Sequence, residues 1–80
     1  MKKYLLTDIA AYIVLHAQDK DPLKIGSKLA RELRMHSIEA ESLFTAIFAA
    51  KSFGIPSDIQ REVQQTVPQY PCFEQIKKLL

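Results

Sequence analysis

The chain has 80 residues, 48% hydrophobic and 25% charged, with a net charge of +2 at pH 7. This composition is typical of a folded domain and excludes a disordered tail. So small a net charge does not by itself indicate a nucleic-acid or anionic-membrane partner. Cys72 is the only cysteine, which excludes an intramolecular disulfide and suits a reducing compartment. We expect a single helical domain over residues 1–80.

The first predicted element is a helix in which Leu5, Ile9 and Ile13 recur at four-residue intervals. Two lysines followed by apolar residues resemble the start of a signal peptide. However, Asp8 interrupts the apolar run and no small-residue cleavage site follows. The run is also too short to span a bilayer. We therefore interpret it as an ordinary helix of a cytoplasmic protein, with no membrane partner.

The second predicted helix begins at Asp21 and Pro22, a capping residue followed by a proline in the first turn. Its apolar stripe is formed by Ile25, Leu29 and Leu33. Gly26 lies inside this helix, where glycine costs about 1 kcal/mol relative to alanine. We favour close packing of another helix against Gly26 over fraying of the first turn.

The third predicted helix, about 38–53, is nearly all apolar and ends at Gly54, before Pro56. A helix apolar on most sides has to be buried on most sides, so we expect it at the centre of the domain. Ser57 and Gln60 have capping-box spacing and predict the start of a fourth helix. A fifth follows the break at residues 68–71. The fold class is therefore all-α, a small bundle of about five short helices around this central helix.

One side of the second helix is basic. Five of the eleven basic residues fall within fifteen positions, offset only by Asp21 and Glu32. Such a stripe is typical of a face that contacts phosphates, of one that contacts an acidic protein surface, and of an ordinary solvated face. The stripe begins at Lys20 and continues through four candidate partner-binding residues, Lys24, Lys28, Arg31 and Arg34.

The segment from the second helix into the third resembles a helix-turn-helix. Ala30 falls at the small position where the two helices cross, and Leu29, Leu33, Met35 and Leu43 fall at apolar positions of the motif. The resemblance covers about twenty residues and implies a DNA-binding regulator. Two features depart from it: Arg34 occupies the turn position usually given to glycine, and the recognition helix would present Glu39 and Glu41 to DNA.

Two apolar edges are candidate partner contacts. Phe48 with Phe53 forms one flank of the third helix that would close against another chain, either a second copy or a partner helix. Tyr70 and Phe73, next to prolines, form the other. The alternative for the second edge is a loop that folds back on the core.

The residues give little support for catalysis. His16, His36 and Cys72 lack the close spacing of a zinc site, and the only glycines, Gly26 and Gly54, make no phosphate-binding loop. We expect no enzyme activity, metal, cofactor or small-molecule substrate. The favoured function is a protein-binding module of the adaptor, chaperone-like, inhibitor or regulatory kind. The alternative is the helix-turn-helix DNA-binding regulator.

Overall fold

A computed structural model of the chain describes residues 4–80 and contains five α-helices, one 3₁₀ turn and no strand in that range. The all-α fold class predicted from the sequence is confirmed. Helix α3 corresponds to the predicted helix at about 38–53. The elements in chain order are α1 (Leu6–His16), α2 (Pro22–Glu32), α3 (Ser37–Phe53), α4 (Ser57–Thr66), the 3₁₀ turn (Val67–Gln69) and α5 (Phe73–Leu79).

The most enclosed helix is α1. Its five consecutive residues from Ile9 to Ile13 are buried, and it contacts α2, α3, α4 and the 3₁₀ turn. Helix α3 packs on α1 and α2, but only Leu43 and Ile47 of its seventeen residues are buried. From its apolar composition, α3 is predicted to lie at the centre of the domain. In the structure that central position belongs to α1, and α3 keeps one long side open to solvent.

Helix α2 begins as its sequence predicts. Asp21 is the N-cap, its carboxylate accepts a hydrogen bond from the Leu23 backbone N–H at 3.0 Å, and Pro22 opens the first turn. An acidic cap of this kind contributes about 1 kcal/mol. The start of the helix, and with it the position of the basic residues on its outer side, is therefore fixed locally.

Helix α2 ends in a Schellman motif. The Met35 N–H donates to the Ala30 carbonyl at 3.0 Å, and the Arg34 N–H donates to the Arg31 carbonyl at 3.1 Å. Arg34 has the left-handed φ of +52° that the motif requires, a conformation that costs a non-glycine residue about 1–2 kcal/mol. The departure noted at Arg34 is therefore accommodated by backbone strain, and the turn keeps its ordinary geometry.

Gly26 lies where α3 packs closely against α2. A Cβ atom on Gly26 would lie 2.5 Å from Cδ1 of Ile47 and 3.9 Å from side-chain carbons of Leu43 and Phe44. The close-packing interpretation of this glycine is confirmed. The contact sets how α3 lies across α2, and therefore which side of α3 faces solvent.

Candidate partner-binding surfaces

Four exposed cations line the outer side of α2 and the turn that follows it. Among residues 4–80, none of the four side chains forms an ion pair or a hydrogen bond. We call this set the basic surface; it consists of Lys24, Lys28, Arg31 and Arg34.

The charges nearest to the basic surface in the sequence are engaged elsewhere. Lys20 donates to the Leu80 backbone oxygen at 2.7 Å. Asp21 caps α2, and Glu32 lies 3.5 Å from Nζ of Lys78 on α5. Neither acid is thus directed at the four cations. The four cations therefore form no ion pair with these neighbours and are free to pair with an anionic partner.

Phe48 and Phe53 are both strongly exposed, at 61% and 87%, but they do not form one edge. Five helical residues separate them by about 140° around the α3 axis. Phe48 follows Phe44 by one turn, and Phe44 contacts α2 beside Gly26. Phe48 therefore lies on the α2 side of α3, whereas Phe53 lies on the opposite flank.

The sequence analysis did not single out Ile38, although it is 77% exposed in the first turn of α3. It lines a shallow groove with Thr7 of α1 and with Glu41, Ser42, Thr45, Ala46 and Ala49 of α3. The five-residue offset between Ile38 and the core residue Leu43 is the signal that could have placed Ile38 on the outer side.

The second predicted edge folds back on the core. The Tyr70 hydroxyl donates to Oδ2 of Asp8 at 2.7 Å, and its ring lies 6.3 Å from that of Tyr4. The Phe73 ring meets Tyr12 edge to face, with 5.9 Å between centroids, and Cys72 between them is buried. We therefore assign Tyr70 and Phe73 to the packing of the domain and leave them out of the binding surface.

Alkaline pH should destabilise the protein through Tyr70. Burial, with the hydrogen bond to Asp8, raises the pKa of Tyr70 from 10.0 to about 12. The native state therefore holds this proton more tightly than the unfolded chain, so the stabilisation is complete below pH 10 and is lost as the pH rises towards 12. Urea unfolding of the wild type should show a steeper loss of stability between pH 9.5 and 11.5 than that of Tyr70→Phe. Parallel curves for the two proteins would contradict the assignment.

The histidines and the cysteine occupy separate environments. Nε2 of His16 lies 2.8 Å from Oε1 of Gln64, while His36 is exposed at the start of α3. Cys72 is buried, and burial raises the pKa of its thiol, which lowers its reactivity. Within residues 4–80, no group of three His, Cys, Asp or Glu side chains is placed to hold a metal ion.

None of the helices between residues 4 and 80 combines the length and the apolar character needed to cross a bilayer. In comparisons with known proteins, no protein family, no curated protein and no solved structure matches this chain.

Proposed function

We propose that this protein is a non-enzymatic protein-binding module that uses the basic surface of α2, together with the exposed Phe48 of α3, to hold an acidic partner protein. The observation that carries the proposal is that none of the four cations forms an ion pair with a carboxylate among residues 4–80. Phe48 supports it, because its ring is strongly exposed and aromatic side chains are enriched in protein interfaces.

The strained turn adds a second line of support. Glycine at position 34 would adopt the left-handed conformation without strain. Arginine accepts that strain and adds a cation at the end of the basic surface. Strained residues of this kind concentrate at functional sites. Gln18, with φ of +55°, shows that this chain also accepts a non-glycine residue in a left-handed turn elsewhere. The strain at Arg34 therefore supports a role for its side chain in partner binding, beside the unpaired cations of α2.

The test is a pull-down from the native extract with three immobilised proteins. Wild type should capture a specific acidic protein, and Lys28→Glu/Arg31→Glu should lose it. The control, Lys51→Glu/Arg61→Glu, makes the same four-unit change in net charge at exposed residues of α3 and α4 and should retain it. Equal capture by both double variants, or no specific capture by wild type, would overturn the proposal.

A helix-turn-helix DNA-binding regulator is the second candidate, favoured by the turn geometry. Arg34 takes the left-handed conformation at the position where the motif places glycine, and Ala30, at the small position of the motif, is buried. Against it, exposed Glu41 on the first half of α3 would approach the phosphates.

Binding to mixed duplex DNA at low salt distinguishes the two candidates. A regulator should bind with an affinity that falls steeply with salt and is abolished in Lys28→Glu/Arg31→Glu. A protein-binding module should show no measurable affinity for the duplex under the same conditions. The control variant Lys51→Glu/Arg61→Glu separates contact through α2 from a general effect of net charge.

A further inference from the structure

Lys78 on α5 lies beside the basic surface. Its Nζ is 3.5 Å from Oε1 of Glu32, the last residue of α2, and α5 packs against α2. Glu32 follows Lys28 by one helical turn, which places their Cβ atoms about 5–6 Å apart. The Lys78 ammonium group is therefore near the cations of α2, although it belongs to another helix.

The basic surface and α5 share one flank of α2. If the fully buried Leu29 marks the inward direction, Gly26, which faces α3, is turned about 60° to one side and Glu32 about 60° to the other. Lys28 lies about 40° beyond Glu32 in the same direction, towards solvent. A partner that covers the cations of α2 from this flank therefore also meets Glu32 and Lys78.

The ion pair between Lys78 and Glu32 is weak enough to be exchanged. The lysine side chain is 69% exposed and the glutamate side chain 33%. Their separation of 3.5 Å exceeds the distance of about 2.7–2.9 Å that is typical of a charge-assisted hydrogen bond. Such a pair contributes little, because water solvates both groups well. Glu74, one turn before Lys78 on α5, forms no ion pair within residues 4–80, which leaves Glu32 as the acid in contact with the lysine.

We infer that a carboxylate of the acidic partner takes the place of Glu32 on Lys78. Lys78 is then a fifth cation of the binding surface, and Glu32 is an internal competitor that lowers the affinity for the partner. The exchange is favoured because a charge pair gains strength when a partner shields it from water. This inference rests on the proposed function and deepens it, since it requires a partner whose carboxylates reach from α2 to α5.

Titration of the full chain with a deca-glutamate peptide at low salt, followed by ¹⁵N–¹H NMR, tests the exchange. Amides of α2 and those around Lys78 should shift, and the shifts give the Kd of each variant. Lys78→Gln should raise the Kd about threefold, the effect of losing one exposed charge contact. Lys78→Arg should keep the wild-type Kd, because it retains the charge. Glu32→Gln should lower the Kd about threefold in the wild type, but by less than about 1.5-fold in Lys78→Gln, since Glu32 acts by occupying the lysine.

Two control variants make the same changes of net charge at exposed positions of other helices. Lys51→Gln on α3 and Glu62→Gln on α4 should each change the Kd by less than about 1.5-fold. The inference is overturned by an equal effect of Glu32→Gln in the two backgrounds, by a Lys78→Gln variant that behaves like Lys51→Gln, or by a wild type that does not bind the peptide.

The proposed function fails on a different result, a pull-down that does not distinguish Lys28→Glu/Arg31→Glu from its own control. If the pull-down succeeds while the Glu32 and Lys78 variants behave like their controls, the partner is confined to α2 and the inference alone is wrong.

Discussion

Replacement of Gly26 by valine should lower the free energy of unfolding by about 3 kcal/mol, at the upper end of what overpacking a core costs. Even a single Cβ would lie 2.5 Å from Cδ1 of Ile47, and Ile47 is fully buried and has little room to move. Valine adds two further methyl groups at the same crossing. Urea denaturation followed by circular dichroism measures the loss.

Controls separate overpacking from helix propensity. Lys28→Val places the same side chain on the exposed side of α2 and should cost under about 1 kcal/mol. In the wild-type background, Ile47→Val, which removes Cδ1, should lower the free energy of unfolding by about 1 kcal/mol. In the Gly26→Ala variant, the same Ile47→Val change should leave the free energy of unfolding unchanged or raise it. Additive effects of Gly26→Ala and Ile47→Val would show that the two side chains do not compete for this space.

Ile76→Ala should lower the free energy of unfolding by about 3 kcal/mol, within the usual range for a buried aliphatic side chain. Helix α5 has seven residues, too few to be stable alone, and it is held by contacts with α2 and the 3₁₀ turn. Ile76 is its one fully buried side chain. Denaturant unfolding gives the global effect, and amide exchange at Leu80, whose N–H bonds the Ile76 carbonyl, reports on α5 itself.

Lys78→Ala is the matched change on the same helix. It removes the ion pair with Glu32, in which the lysine side chain is 69% exposed, and exposed pairs contribute under about 1 kcal/mol. If Lys78→Ala destabilised the protein as much as Ile76→Ala, charge rather than packing would hold α5 in place.

The parts of this structure that local residue chemistry decides could be predicted from the sequence. Asp21 and Pro22 start α2, and Gly54 ends α3 with a φ of +81°. The helix start predicted at Ser57 is confirmed, but its capping box does not form, because α4 has Pro56 as its N-cap and the Gln60 side-chain amide donates to the Ile55 carbonyl. A pattern identifies groups able to cap a helix, but competing acceptors nearby decide which bond forms.

The candidate surfaces could be predicted only in part. The exposure of the four cations follows from their spacing opposite the apolar stripe of α2. The exposure of Ile38 and the separation of Phe48 from Phe53 depend on how many helices pack around α3. Apolar composition indicates that a helix can be buried, but the number of its neighbours is decided by residues far away in the chain. For that reason α1, not α3, became the enclosed helix.

The enclosure of α1 has a consequence for the order of folding. Its partners include α4 and the 3₁₀ turn, and the Asp8–Tyr70 hydrogen bond joins residues 62 positions apart, so closing these contacts costs more loop entropy than closing contacts between neighbouring helices. Helices α2 and α3 are sequence neighbours and meet at Gly26 with little such cost. We expect amides of α2 and α3 to gain protection before those of α1 in pulsed hydrogen exchange during refolding; the reverse order would contradict this. The α2–α3 pair, which carries the basic surface, would then take shape before the core behind it is complete.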